Sequence, residues 1–280
     1  MKLTSRASRE APLSRPPSDG PGDDVVLRAA DVRIHYWLER ERTAFCAVDR
    51  IDIDIREGEF VVIVGPSGCG KTTFLDAVGG LRKISSGRLE LRGRQITGPG
   101  SDRAIVFQSA SLFPWKKIRA NVAYGLKIAG KTPKKQIDLA VEEHLELVGL
   151  GNFGDSYPNE LSGGMQQRAN LARALVANPE MLLLDEPFGA LDAQTRETMQ
   201  SELLRIWSVN KKTALFITHD IKEAIYLADR VVVMSARPGR IAEIVPIDLP
   251  RPRTTATKRE PDFLAYEDHI EALLEKVKYQ

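Results

Sequence analysis

The sharpest chemical spacing in this chain is Gly65-Pro66-Ser67-Gly68-Cys69-Gly70-Lys71-Thr72-Thr73, where Gly65, Gly70, Lys71 and Thr72 stand in the pattern G-x-x-x-x-G-K-[ST]. Between an apolar strand and a helix, such a loop wraps its backbone N–H groups around phosphate oxygens, and the helix N-terminus adds partial positive charge. Both flanks are present: Phe60-Val-Val-Ile-Val64 precedes the loop and a helical pattern follows Lys71. The chemistry this permits is binding of a nucleoside triphosphate, with Lys71 at the β- and γ-phosphates and the Thr72 hydroxyl on Mg²⁺. A Gly-rich turn without a ligand is the alternative, and the complete pattern with its flanks argues against it. Cys69 fills a variable slot of the loop and reads as a small filler rather than a redox group.

Leu182-Leu-Leu-Asp185-Glu186 ends a second apolar strand on two adjacent carboxylates. Side chains alternate along a strand and splay at its end, so Asp185 is assigned to the Mg²⁺ shell and Glu186 to the attacking water, as base or as orienting group. His219 follows the apolar stretch Leu215-Phe-Ile-Thr218, on the strand end where open α/β sheets hold ligands. It is assigned to the γ-phosphate, where it would stabilise transition-state charge. Gln108, after Ala104-Ile-Val-Phe107, is placed to reach the metal or the water.

These groups need a scaffold that brings distant segments to one edge. Ile51, Ile53 and Ile55 alternate with polar residues, and the short runs Phe60–Val64, Met181–Leu184, Ala214–Thr218 and Val231–Met234 read as strands separated by helical patterns. Buried strands alternating with helices predict a largely parallel α/β core. Thr132-Pro133 predicts a helix start, with Thr132 as cap and Pro133 as first helical residue, and Ile137, Val141, Leu145 and Val148 on one face before Gly149. A further helix is expected from Ser162 to before Pro179. The turn Arg237-Pro-Gly-Arg240 should join two strands. Pro250 to Pro261 reads as a linker with Lys258 and Arg259 as a solvated charge run, and Phe263, Ile270, Leu273, Leu274 and Val277 mark a terminal amphipathic helix.

Composition narrows the class. The 280 residues are 42% hydrophobic, enough for a sizeable core in one or two domains. Lys and Arg number 40 against 38 Asp and Glu, a formal charge of +2 that gives no sign of a nucleic-acid partner. Cys46 and Cys69 are the only cysteines, which points to a reducing compartment and no structural disulfide. No apolar run approaches the ~20 residues of a spanning helix, and no signal-peptide core follows Met1, so membrane association is expected through a partner. Residues 1–24, rich in Ser, Pro and Arg, read as a disordered tail; Arg6, Arg9 and Arg15 are interrupted by Glu10 and Asp19 and form no amphipathic targeting face.

Leu161-Ser-Gly-Gly-Met-Gln-Gln-Arg168 resembles the signature motif of the ATP-binding-cassette (ABC) ATPases, with Met165 where Gln is usual. In the same order, Ala190-Leu-Asp192 resembles that family's D-loop and His219 its switch histidine, and Val32-Arg-Ile-His-Tyr36 is similar to the segment whose aromatic ring stacks on adenine. Tyr36 is preferred over Trp37, which should point to the opposite strand face. Within the family, Thr97-Gly-Pro-Gly100, Asp102-Arg103, Leu112-Phe-Pro-Trp115, Asn121-Val122 and Arg237-Pro-Gly-Arg-Ile241 look like the nitrate/sulfonate/taurine importer ATPases.

The resemblance implies a P-loop NTPase core with a parallel-rich sheet, an N-terminal antiparallel β subdomain and an inserted α-helical signature subdomain at roughly 109–177. The cassette would span 25–248, and 249–280 would be linker and helix. It also implies ATP and Mg²⁺ as cofactors, and a homodimer in which Ser162, Gly163, Gly164 and Asp192 of one copy face the ATP held by the other. The expected partners are a multi-spanning permease, contacted through Phe113 and Trp115 if these do not pack inside the helical lobe, and indirectly an extracytoplasmic solute-binding protein. The location would be the cytoplasmic face of the membrane, and the activity ATP hydrolysis coupled to small-anion import; a soluble ABC ATPase acting on nucleic acid or protein assemblies is the alternative.

Overall fold

A computed structural model describes residues 24–38 and 43–278. The tail expected over 1–24 therefore lies outside the described residues except for Asp24. The chain opens with two long strands, β1 (Val25–Leu38) and β2 (Thr43–Arg56), followed by the short β3 (Phe60–Val64) and α1 (Lys71–Val78). A hairpin follows, β4 (Ser86–Leu91) and β5 (Arg94–Gln95), and then β6 (Arg103–Val106). Four helices come next: α2 (Ile118–Val122), α3 (Tyr124–Ala129), α4 (Lys134–Leu147) and α5 (Gly163–Leu175). Strands and helices then alternate through β7 (Met181–Asp185), α6 (Ala193–Asn210), β8 (Thr213–Ile217), α7 (Ile221–Leu227) and β9 (Arg230–Met234). The described chain ends with β10 (Ile241–Pro246) and α8 (Pro261–Val277).

The strands form two sheets. One is antiparallel in the order β2-β1-β4-β5; the other runs β10-β9-β3-β8-β7-β6, parallel except for its antiparallel edge strand β10. Period-two alternation divides each central strand between two cores. Phe60, Val62 and Val64 pack into a core shared with α4 to α8, whereas Val61 and Ile63 pack toward β1, β2 and α1. Leu182 and Leu184 against Met181 and Leu183 repeat the division, as do Val231 and Val233 against Val232 and Met234. A strand covered on both faces has no polar side, which is why these strands read as unbroken apolar runs.

Helix α4 begins one residue later than the sequence pattern predicts: Pro133 is the N-cap itself and no side chain caps the helix. The face expected of it is in place, with Ile137, Val141, Leu145 and Val148 all buried. Helix α8 buries Phe263, Ile270 and Val277, while Leu273 and Leu274 pack at the core's margin.

The segment leading to α8 is tied to the core. The Arg253 guanidinium, itself buried, donates to the carbonyls of Ile225, Tyr226 and Ala228 and so occupies the C-terminal carbonyls of α7. Burial lowers its pKa to about 10, with Arg251 adding repulsion. Lys258 is not solvated as its charge suggests: its ammonium donates to Gln200 Oε1 at 2.9 Å and lies 4.7 Å from the Tyr226 ring centroid. Gln200 in turn donates to the buried Glu223 carboxylate at 2.9 Å.

Burial raises the Glu223 carboxyl above its ordinary value of 4.5, against hydrogen bonds from Thr218 and Gln200 that pull it down. For an acid raised in the folded state, the stabilising contribution is complete below the ordinary value and is lost as pH rises through the folded value. Glu223→Gln does not titrate. The stability difference between this variant and the parent should therefore move in the variant's favour as pH rises from about 4.5 toward neutrality, which urea titrations at a series of pH values can follow.

Candidate active site at the carboxyl edge of the parallel sheet

Because β3, β8, β7, β6 and β9 run parallel, the segments following them emerge on the same sheet edge. Ile63 pairs with Ile217 and Ile217 with Asp185, so the ends of β3, β8 and β7 lie level. Two further hydrogen bonds extend this register into the site, from Glu186 N to the Ile217 carbonyl (3.0 Å) and from Thr218 N to the Ile63 carbonyl (3.2 Å).

The phosphate loop leaves β3 and turns into α1 at Gly70, whose φ of +98° and close approach to the Ala47 carbonyl leave no room for a side chain. Lys71 is buried, and its ammonium donates to the Gly65 carbonyl at 2.8 Å and the Pro66 carbonyl at 3.2 Å. The cation is thus held over the loop's own oxygens. Cys69 is buried beneath the loop, which raises its thiol pKa despite the nearby Lys71 and fits a filler role.

Above the loop is a cleft of about 790 Å³. Of the residues assigned from sequence, Ser67, Gly68, Gly70 and Lys71 to Thr73 line it, together with Tyr36 and Glu186. Tyr36 donates to or accepts from the Thr73 hydroxyl at 2.9 Å, and the Arg82 guanidinium covers its ring at 4.2 Å. Trp37 is exposed, on the other face of β1. Gly65, Pro66 and Cys69 form the base of the loop and are not part of the wall.

The carboxylates separate as their positions suggest. Thr72 donates its hydroxyl proton to Asp185 Oδ1 at 3.2 Å. Burial raises the Asp185 carboxyl above its ordinary range; the Thr72 hydrogen bond opposes this, while the charges of Glu186 and Asp76 add to it. Glu186 sits at φ +42°, a left-handed conformation uncommon for a residue with a side chain, which turns its carboxylate toward the cleft. Its Oε2 lies 2.9 Å from His219 Nδ1. His219 is thus paired with the carboxylate rather than standing on the cleft wall.

Gln108 follows β6 on the same edge. Its amide lies against Gly189, where a β-carbon would come within 2.9 Å of Nε2, and it makes no hydrogen bond with Thr72 or Asp185. The signature residues form a separate surface. Ser162 is the exposed N-cap of α5, its hydroxyl accepting from Met165 N at 3.4 Å. The neighbouring Gly163 is also exposed and lies near Leu191, while Gly164 packs against Thr195 of α6. Asp192, the N-cap of α6, accepts from Thr195 N at 3.0 Å, and hydrogen bonds from the Thr195 side chain and backbone lower its carboxyl pKa. Ser162, Gly163 and Asp192 are therefore exposed neighbours outside the cleft walls.

Three lining residues carry no sequence assignment: Phe45, Ala47 and Arg237. Phe45 is the cross-strand partner of Tyr36, so both rings share a face, a relation that depends on hairpin register. Gln167 lies within the signature stretch, whose sequence gives it no role of its own. Buried in α5, it donates its amide to the Gln108 carbonyl at 3.0 Å and to the Pro187 carbonyl, joining the segments after β6 and β7 to the signature helix.

A parallel α/β sheet with a phosphate loop, paired carboxylates at the end of a strand two places away and a separate helical lobe defines an ATP-hydrolysing protein of the phosphate-loop class. The profile of the ABC transporter family matches residues 48–189, and the chain belongs to that family. It is 48% identical over 240 residues to a nitrate import ATP-binding protein of Synechocystis sp., covering 84% of this chain and 90% of that one. It is 47% identical over 255 residues to a taurine import ATP-binding protein of Rhizobium johnstonii, covering 89% and 96%. Among solved structures it is similar to a dimeric ATP-binding cassette in a post-hydrolysis state bound to ADP and Pi, at a TM-score of 0.68 and 29% identity, covering 80% of this chain and 99% of that one. The chain is an ATPase subunit of an ABC transporter.

Gln167→Leu should leave the Gln108 and Pro187 carbonyls without their buried donor and cost about 1–3 kcal/mol of stability. Denaturant unfolding reads that cost, and steady-state ATPase measured well below the unfolding transition should fall too, because Glu186 directly precedes Pro187.

Proposed function

We propose that the chain powers import of a small anion such as nitrate, taurine or another sulfonate, by closing on ATP as a homodimer and reopening on hydrolysis. One observation carries the two-copy reading. The phosphate loop lines a cleft, while the exposed N-terminus of α5, with Ser162 as its cap, lies outside it. A helix end with free N–H groups suits a phosphate, and within one copy it has none to meet. A second copy, related by a two-fold axis, would set its Ser162, Gly163, Gly164 and Asp192 over the ATP held on Ser67 to Thr73. The dimeric cassette to which the chain is similar supports this arrangement.

Within the cleft, Lys71 would exchange the Gly65 and Pro66 carbonyls for β- and γ-phosphate oxygens. Mg²⁺ fits beside it: Thr72 and Asp185 offer oxygens, and repulsion among Asp185, Glu186 and Asp76 favours a cation. Bound there, the ion would neutralise charge on the phosphates. Glu186 receives the proton of the attacking water or orients it. His219, hydrogen-bonded to Glu186, holds that carboxylate in place and faces the same phosphate. Tyr36 provides a surface for adenine, and Gln108 couples the site to the segment that follows it.

The anion class rests on the nitrate and taurine import relatives. The permease partner is supported by Trp115, 71% exposed, beside the half-buried Phe113 at a ring separation of 5.7 Å. Among the described residues no helix is long and apolar enough to cross a membrane, so attachment at the cytoplasmic face would run through that permease, with a solute-binding protein acting on its far side.

Glu186→Gln should lower steady-state ATPase by at least about 100-fold while leaving ATP binding intact. Light scattering of this variant with MgATP should show a dimer that the nucleotide-free protein does not form. Undiminished turnover would remove Glu186 from its role, and a monomer saturated with ATP would remove the two-copy site.

A further inference from the structure

The loop 235–240 lies on the same sheet edge as the phosphate loop, because β9 runs parallel to β3 with Val64 opposite Val233. It is clamped at Gly239. Gly239 N donates to the Ala47 carbonyl at 3.0 Å and Asp49 N donates to the Gly239 carbonyl at 2.9 Å. Gly239 also approaches the phosphate loop so closely that a β-carbon would lie 1.9 Å from the Cys69 carbonyl. The Ser235 hydroxyl, bonded to the Pro238 carbonyl and to Arg240 N, holds the turn's shape.

This clamped loop presents Arg237 to the cleft. Arg237 Nε donates to the Gly68 carbonyl at 3.3 Å, and its guanidinium lies 5.8 Å from the Phe45 ring centroid. No carboxylate pairs with it among the described residues, and its terminal Nη groups have no acceptor there. A cation with free donors beside a phosphate loop has one chemical complement in this cleft, an anionic oxygen of the bound ligand.

We infer that Arg237 is a nucleotide-binding residue that donates through its Nη groups to the phosphate chain of ATP; this rests on the reading of the cleft as the ATP site. Its position sets which phosphates it serves. In the strand order β9-β3-β8-β7, Arg237 and Glu186 flank the phosphate loop from opposite sides, with their parent strands three spacings apart, ~14 Å. Arg237 therefore holds the chain on the side away from the reacting γ-phosphate, and its contribution is to binding rather than to the chemical step.

The test compares parent protein, Arg237→Ala, Arg237→Gln and Arg237→Lys, each checked for an unchanged far-UV spectrum and unfolding midpoint. Displacement of a fluorescent ATP analogue gives Kd for MgATP and for inorganic tripolyphosphate. Arg237→Ala and Arg237→Gln should weaken both ligands about tenfold, with Arg237→Lys recovering part of the loss. KM for ATP should rise similarly while kcat changes by less than about twofold. Equal affinities in parent and variants would overturn the proposal. So would a loss confined to ATP with tripolyphosphate unaffected, which would make Arg237 a base-contacting residue. If the parent bound neither ligand, or if Lys71→Ala bound both as tightly as the parent, the reading of the cleft as the ATP site would fail instead.

Discussion

The in-register parallel pairing of three buried strands is the constraint on which the rest of this molecule depends. Asp185, Glu186 and the start of the phosphate loop come to one edge because Ile63, Ile217 and Asp185 lie level across β3, β8 and β7. A slip of one residue would exchange the two cores that each strand serves, moving Phe60, Val62 and Val64 to the face now filled by Val61 and Ile63. Burial on both faces therefore fixes the register. Fully burying each such side chain is worth about 1.5–3 kcal/mol, and the three strands bury many of them at once.

On that edge the polar groups are arranged as a set of unmet demands. Lys71 rests on its own loop's carbonyls, Asp185 is raised by burial and by neighbouring charge, and Arg237 has no carboxylate partner among the described residues. Glu186 is held in a left-handed conformation and paired with His219. An anionic polyphosphate with a divalent cation answers the first three together, since it brings negative oxygens to the cations and positive charge to the carboxylates. In the proposed cycle the fourth would serve the attacking water.

Away from the edge, buried hydrogen bonds link elements that are distant in sequence. Gln167 joins the signature helix to the segments after β6 and β7, at the Gln108 and Pro187 carbonyls. Arg253 and Lys258 anchor the approach to α8 onto α7 and Gln200, close to Glu223 and the turn that carries His219. In each case a polar group is buried with its partners supplied, which keeps the cost of desolvation low and the geometry single.

The phosphate loop, the carboxylate pair and the signature motif were legible in the chain because their chemistry is written in contiguous residues. The two-core sheet was legible because period-two burial leaves apolar runs such as Phe60–Val64. What the chain alone does not encode locally is which remote residues meet. Phe45 reaches the cleft through hairpin register with Tyr36, and Arg237 through the close approach of Gly239 to Cys69. Gln108 turns toward Gly189, and His219 toward Glu186, because backbone turns after the strands set those directions. Such contacts depend on strand order and loop packing summed over the whole fold, so only the tertiary structure decides them.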